Sequence, residues 1–243
     1  MNETVKAAVD ATWAALFGLS PADFYQDSVH VLADTDADDV VSVMVDRACV
    51  VRVPDHLAAA AQDVFGSLTA GEAFAADPLE RLVRDRGEVV GLSWHHYGNR
   101  ESLHSRPDPR VTQVPGDDVA LMSFLEANSI EDWAESGFPR HPPGSVRSDV
   151  EYWLMRDQGR VVAAGNMTQW RGVPADVGVL VAPAERGWGF ASQLVGAMLD
   201  DSLPKVEVVR YRALSTNAAS LAVAERIGFS RYGGNYLARL TSP

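Results

Sequence analysis

Apolar residues recur at helical spacing from the start of the chain: Val5, Val9, Trp13, Leu16 and Phe17 fall on one stripe, and Gly18 supplies a stop. The pattern predicts a helix over residues 4–17. Apolar runs at Val29–Leu32 and Ala48–Val53 read as strands, and helices are expected over His56–Phe65 and Pro78–Arg86, where proline suits a first turn. Val89–Tyr97 reads as another strand. The polar, proline-containing stretch Asn99–Arg110 reads as a linker.

After the linker come a short strand at Thr112–Val114 and a helix capped by Asp117-Asp118 that carries Val119, Leu121, Met122, Phe124 and Leu125. A second short helix is expected over Glu131–Gly137, then a turn or loop at His141–Gly144. From Val150 the alternation becomes regular. Strands over Val150–Arg156, Arg160–Gln169 and Asp176–Val181, separated by Asp157-Gln158-Gly159 and Arg171-Gly172-Val173-Pro174, form an antiparallel meander. Helix 189–201, strand Val206–Ala213, helix 217–227 and a strand from Phe229 towards Leu240 complete the chain, with no internal repeat.

The 243 residues, 47% of them hydrophobic, suffice for one large or two small domains. No apolar run reaches the roughly 18 residues of a membrane span, and Met1–Lys6 lacks the basic start and apolar core of a secretion signal, so a cytoplasmic protein is expected. A net charge of -12 opposes nucleic-acid and anionic-membrane surfaces. It suits a cationic small molecule, and it is equally what solubility alone would favour. Cys49, the sole cysteine, excludes disulfides and thiolate clusters within the chain and reads as a small buried hydrophobe; no metal site is expected.

The most chemically informative stretch is Arg186-Gly187-Trp188-Gly189-Phe190-Ala191, which follows the run Val177–Val181 and opens a helix. Glycines let backbone N–H groups approach a phosphate, and a helix N-terminus adds unpaired donors and the positive end of its dipole. By itself this is also what an ordinary strand-to-helix turn looks like. A second signal is Asn217-Ala218-Ala219-Ser220, opening a helix that ends in Ile227-Gly228-Phe229. The antiparallel meander before the glycines argues against a dinucleotide-binding βαβ unit.

Together these elements resemble the GCN5-related N-acetyltransferases, the GNAT superfamily, whose acetyl-CoA loop Gln/Arg-x-x-Gly-x-Gly/Ala stands here as Arg186-x-x-Gly189-x-Ala191. The resemblance implies an α/β (α+β) fold with a mixed, mostly antiparallel central sheet flanked by helices. Residues 106–243 would form the acetyltransferase domain and residues 1–105 an additional N-terminal α/β subdomain, as in two-part bacterial members. It implies acetyl-CoA as acyl donor, with Val179 and Val181 holding the pantetheine arm. The loop from Arg186 through Gly187, Trp188, Gly189, Phe190 and Ala191 to Ser192 would hold the pyrophosphate, and Asn217 and Ser220 complete the cofactor set.

The resemblance further implies direct attack of a primary amine on the thioester, with Asp176, which by itself also reads as a solvated turn carboxylate after Pro174-Ala175, matching the family's carboxylate base. The acid departs from the pattern: Ala224 stands where many members carry tyrosine, so Ser220, Tyr232, Tyr236 or solvent takes that role, or catalysis is lost. Glu131, Trp133, Glu135, Phe138 and Trp170 are the implied acceptor-site residues, with Trp133 and Phe138 equally readable as core; Asp176 and Trp133 are expected to face the cavity. The reading is an N-acetyltransferase for a small cationic amine, with a homodimer allowed and no nucleic-acid or membrane partner. A non-catalytic acyl-CoA sensor and a protein-amine acetyltransferase stand as alternatives. His95-His96 point to opposite faces of a strand and cannot readily share a ligand.

Overall fold

The computed structural model describes residues 1–129, 132–133, 136–138, 150–170 and 173–241, excluding the side chains of 170 and 173–175. Backbone proximity divides the chain into two compact units: one comprises residues 10–95, 214–216 and 231–243, the other residues 1–9, 96–213 and 217–230. The division is not linear along the chain. The closing strand belongs with the N-terminal residues.

In the first unit, strands β1 (Ser28–Asp34), β2 (Val40–Val45), β3 (Ala48–Pro54), β4 (Gly87–Gly98) and β10 (Ser230–Leu240) follow the order β1-β3-β2-β10-β4. β1 runs parallel to β3, whereas β2 is antiparallel to both β3 and β10. The sequence reading has no element at Val40–Val45; there a tight turn with Asp46 at φ 51° joins two apolar runs into a hairpin. Helices α2 (Ala58–Phe65), α3 (Ala70–Ala73) and α4 (Ala76–Val83) cover one sheet face, with Phe65, Leu79 and Val83 packing against Val51 and Val53. Helix α1 (Glu3–Phe17) starts where the apolar stripe predicts, and Trp13 is 2% exposed, stacked on Phe17 and on His95.

In the second unit, β5 (Val111–Val114), β6 (Val150–Asp157), β7 (Arg160–Trp170), β8 (Val173–Val181) and β9 (Val209–Leu214) follow the order β9-β8-β7-β6-β5. β5 to β8 form an antiparallel meander, and β9 joins β8 in parallel. Strand alternation sorts the core into two faces. Trp153 and Met155 point to α6 (Phe190–Ser202) and α7 (Ala218–Ile227), while Tyr152 and Leu154 point to α5 (Val119–Glu126). Trp153 is fully buried and satisfies its indole N–H on Asp201 Oδ2 at 2.9 Å. Helix α7 ends at Gly228, whose φ of 95° a side chain would strain and whose Cβ would collide with Ser102 O.

Candidate active site

β8 is paired to β7 along its length, but to β9 only at Ala175–Val177 opposite Val209–Tyr211. Beyond Val177 the two parallel strands part, and the backbone of Gly178–Val181 has no partner on β9. A groove of about 380 Å³ opens there. Val179, Leu180 and Val181 form one wall, the loop from Glu185 to Ser192 one end, and Tyr211 with the first turns of α7 the opposite wall.

The loop has its shape because of two left-handed glycines, Gly187 at φ 86° and Gly189 at φ 82°, the latter capping α6. No heavy atom lies within 4 Å of a Cβ built at Gly187, so backbone conformation, not crowding, demands glycine there. Gln193 is the first residue of α6 to find a helical acceptor, Gly189 O at 3.2 Å. The N–H groups of Phe190, Ala191 and Ser192 have no intrahelical acceptor, and the helix dipole makes that end attractive to an anion. Arg186 lines the groove, donates through Nε to Val181 O at 3.3 Å and pairs with Asp132. Hydrogen bonding from Arg186, with a further bond from Ser129, holds the Asp132 carboxyl below the usual carboxylate range. Arg226, from the last turn of α7, also lines the groove and reaches Ser192 Oγ at 3.5 Å.

Across the groove, Asn217 caps α7, its Oδ1 accepting from Ser220 N at 2.9 Å, and Ser220 Oγ lies 2.9 Å from the Tyr211 hydroxyl. Of the cofactor residues read from the sequence, Val179, Val181, Arg186, Gly187, Gly189, Phe190, Ala191, Ser192, Asn217 and Ser220 all line this one groove. Trp188 does not; it is 73% exposed. Asp132, Tyr211 and Arg226 line it without having been singled out in the sequence. Asp132 and Tyr211 come from a short segment and a strand that carry no motif, Arg226 directly precedes the Ile227-Gly228-Phe229 helix end, and only folding brings them to the loop.

Asp176 and Trp133 are not among the lining residues. Asp176 sits opposite Arg210 in the β8–β9 register, and its two oxygens accept from Arg210 Nε at 3.1 Å and Nη2 at 3.0 Å, with Arg212 at 3.6 Å. Burial works against the Arg210 charge, but Asp176 and Tyr97 outweigh it and raise the guanidinium's pKa. Trp133 donates its indole N–H to Leu125 O at 2.8 Å, and Phe138 stacks on Tyr152 at 6.3 Å between ring centroids. Both belong to the core under α5, the second of the two roles open to them in the sequence. Glu131 and Glu135 lie outside the described residues, and of Trp170 only its place at the end of β7, opposite Val173, is described.

Among the hydroxyls considered as acids, only Ser220 lines the groove. Tyr232 donates to Asp10 at 2.6 Å and Tyr236 packs edge-on against Phe74, both in the first unit. His95 pairs with Asn235 at 2.9 Å and His96 with Tyr211 O at 3.3 Å, separate partners as strand alternation requires. Among the described residues no group of three or more His, Cys, Asp or Glu is placed to hold a metal, and no helix is long and apolar enough to cross a membrane.

Several solved structures align with this chain at low identity. A conserved protein of unknown function from Staphylococcus epidermidis aligns at a TM-score of 0.50 and 12% identity, covering 69% of this chain and 68% of that one. A GNAT-family acetyltransferase from Colwellia psychrerythraea aligns at 0.47 and 16% identity, over 67% and 61% of the two chains. A GCN5-related N-acetyltransferase from Kribbella flavida aligns at 0.45 and 16%, over 72% and 73%. At 12% identity the first of these likenesses concerns the fold alone. No curated protein matches the sequence significantly. The family model described as an acetyltransferase (GNAT) domain matches residues 90–230, which include both walls of the groove and its glycine loop. More than half of the chain is thus accounted for by one family, and the protein belongs to the GNAT acetyltransferases.

Proposed function

We propose that the protein is an acetyl-CoA-dependent N-acetyltransferase that transfers the acetyl group to a primary amine of a small, cationic molecule. The observation that carries this reading is the parting of β8 and β9 beyond Val177 beside a glycine loop that opens a helix. Backbone groups along Val179–Val181 that no β9 residue pairs suit the peptide-like pantetheine arm, as an extended peptide adds to a sheet edge. The loop N–H groups, with Arg186 and Arg226 nearby, suit the pyrophosphate. The chain's net charge of -12 supports a cationic acceptor by long-range attraction.

In this proposal the neutral amine attacks the thioester carbonyl directly. Asp176 holds Arg210 and the strand junction rather than taking the ammonium proton, because a base needs a free lone pair facing that proton and both Asp176 oxygens accept from a guanidinium. The proton then passes to solvent. A cytoplasmic setting and a homodimer belong to the same proposal and are checked by fractionation and by sedimentation.

Isothermal titration of acetyl-CoA against the parent protein and Gly189→Arg tests the site. Binding is expected in the parent and lost in the variant, where a bulky side chain replaces a left-handed glycine; retained binding removes the loop from the assignment. Ala224, fully buried and without a donor, favours one second reading, a non-catalytic acyl-CoA sensor. A screen of small amines with free-thiol detection separates the two, since a sensor releases no thiol with any amine. Mass spectrometry of acetylated proteins identifies a protein acceptor.

A further inference from the structure

Tyr211 stands at the last position where β9 pairs with β8, opposite Val177. Its ring is 1% exposed and packs against Phe229, with 5.5 Å between centroids. Packing therefore fixes the side chain, and it lines the groove across from β8. Ser220 is held equally firmly, in the first turn of α7, by the Asn217 cap. The two hydroxyls lie 2.9 Å apart. Each owns one hydrogen and a single bond between them uses one, so the pair retains one O–H hydrogen for a third atom. One helical turn beyond Ser220, Ala224 is fully buried and offers no donor.

The loop marks the polyanion end of the groove, and Val177 lies four residues of β8 before Val181, about 13 Å along the strand. The end of the groove near the strand junction is thus the end left for the sulfur. We propose that the Tyr211–Ser220 hydroxyl pair donates a hydrogen bond to the coenzyme A sulfur and stabilises the thiolate as it leaves the acetyl group. This rests on the acetyl-transfer reading above. In the step, the amine nitrogen lone pair forms the N–C bond, the C–S bond breaks and its electron pair stays on sulfur. The surplus N–H proton goes to solvent, and solvent protonates the thiolate on release.

The pair holds its proton rather than surrendering it. Burial pushes the Tyr211 phenol up to about 12 even though the Ser220 bond pulls it down. An ordinary thiol titrates near 8.5, so full transfer to sulfur is uphill, while a hydrogen bond to the charged sulfur remains favourable.

The test uses coenzyme A itself, bound to the full-length parent, Tyr211→Phe and Ser220→Ala. Calorimetry measures binding, and ultraviolet absorbance of the thiolate titrates the bound thiol. Removing either hydroxyl is expected to raise the bound thiol's pKa by about one unit, a tenfold loss of thiolate stabilisation. A loss of packing alone would not move this titration. Tyr211→Phe keeps the packed ring, and Ser220→Ala carries the test if the phenylalanine variant does not fold. A rise in either variant supports the proposal. An unchanged titration in each variant that folds, with coenzyme A still bound, overturns it and leaves the acetyl-transfer reading standing. Failure of the parent to bind coenzyme A overturns both.

Discussion

Asp176→Ala takes the counter-ion from a guanidinium that is only 3% exposed. In the parent protein Arg210 makes two bonds to that carboxylate, at 3.1 and 3.0 Å. Removing one partner of a buried ion pair costs roughly 3–5 kcal/mol, because the remaining charge stays desolvated and uncompensated. Tyr97 also bonds Arg210 and remains in place, which favours the low end, about 3 kcal/mol. Arg212 is 45% exposed at 3.6 Å and adds little. For a chain of this size each kcal/mol moves Tm by about 2–4 °C, so a fall of about 6–12 °C is expected. Thermal melts by scanning fluorimetry, with urea titration alongside, measure it. Adding Arg210→Met should recover most of the loss, since an apolar replacement no longer leaves a charge buried. An Asp176→Ala protein melting within about 2 °C of the parent refutes the claim that this pair clamps the strand junction. Asp176→Asn keeps one accepting oxygen and should lose less. A large kcat loss in that variant, with stability and coenzyme A affinity intact, would return Asp176 to the role of base.

Cys49 is fully buried beside Ser42, and burial pushes its thiol from 9.0 to about 11, against the opposing pull of the Ser42 bond. It should resist a thiol reagent in the native protein at neutral pH and label only after denaturant; prompt native labelling contradicts this. Because the folded pKa is the higher one, this contribution to stability is intact below the unfolded value of 9.0 and drains away as pH rises towards about 11, which a series of urea midpoints detects. Asp118 caps α5 by accepting from Ala120 N at 2.9 Å and Leu121 N at 3.0 Å. Asp118→Ala should lower stability by about 1 kcal/mol, and an unmoved urea midpoint would show that the cap contributes nothing.

Much of the fold was legible because its signals are local. The stripe Val5–Phe17, the Asp118 cap, the alternation through β6 to β8 and the glycine stops are each set by the backbone geometry of a few neighbouring residues, and the structure has elements at those places. The strand at Val40–Val45 was missed although its composition suits one, since the signal was a hairpin turn with Asp46 at positive φ rather than a glycine. The groove residues of the loop and of the Asn217 helix were legible for the same local reason: left-handed glycines and a side-chain cap can be read from short motifs.

Asp176 illustrates the other case. A carboxylate before a cofactor strand reads as a base until its cross-strand neighbour is known, and that neighbour, Arg210, is 34 residues away in sequence. Tyr211 has no motif, and the glycine stop after Arg226 marks a helix end without saying which way Arg226 faces. Their places follow from which way a parallel strand and a helix face once packed. The sequence by itself determined most of the elements, several of their caps and the conformation of the glycine loop, because those depend on interactions within a few residues. Tertiary structure alone decided which carboxylate is bound in an ion pair, which hydroxyls share the groove, and that the closing strand belongs with the N-terminal residues, because these depend on register and packing between segments far apart in the chain.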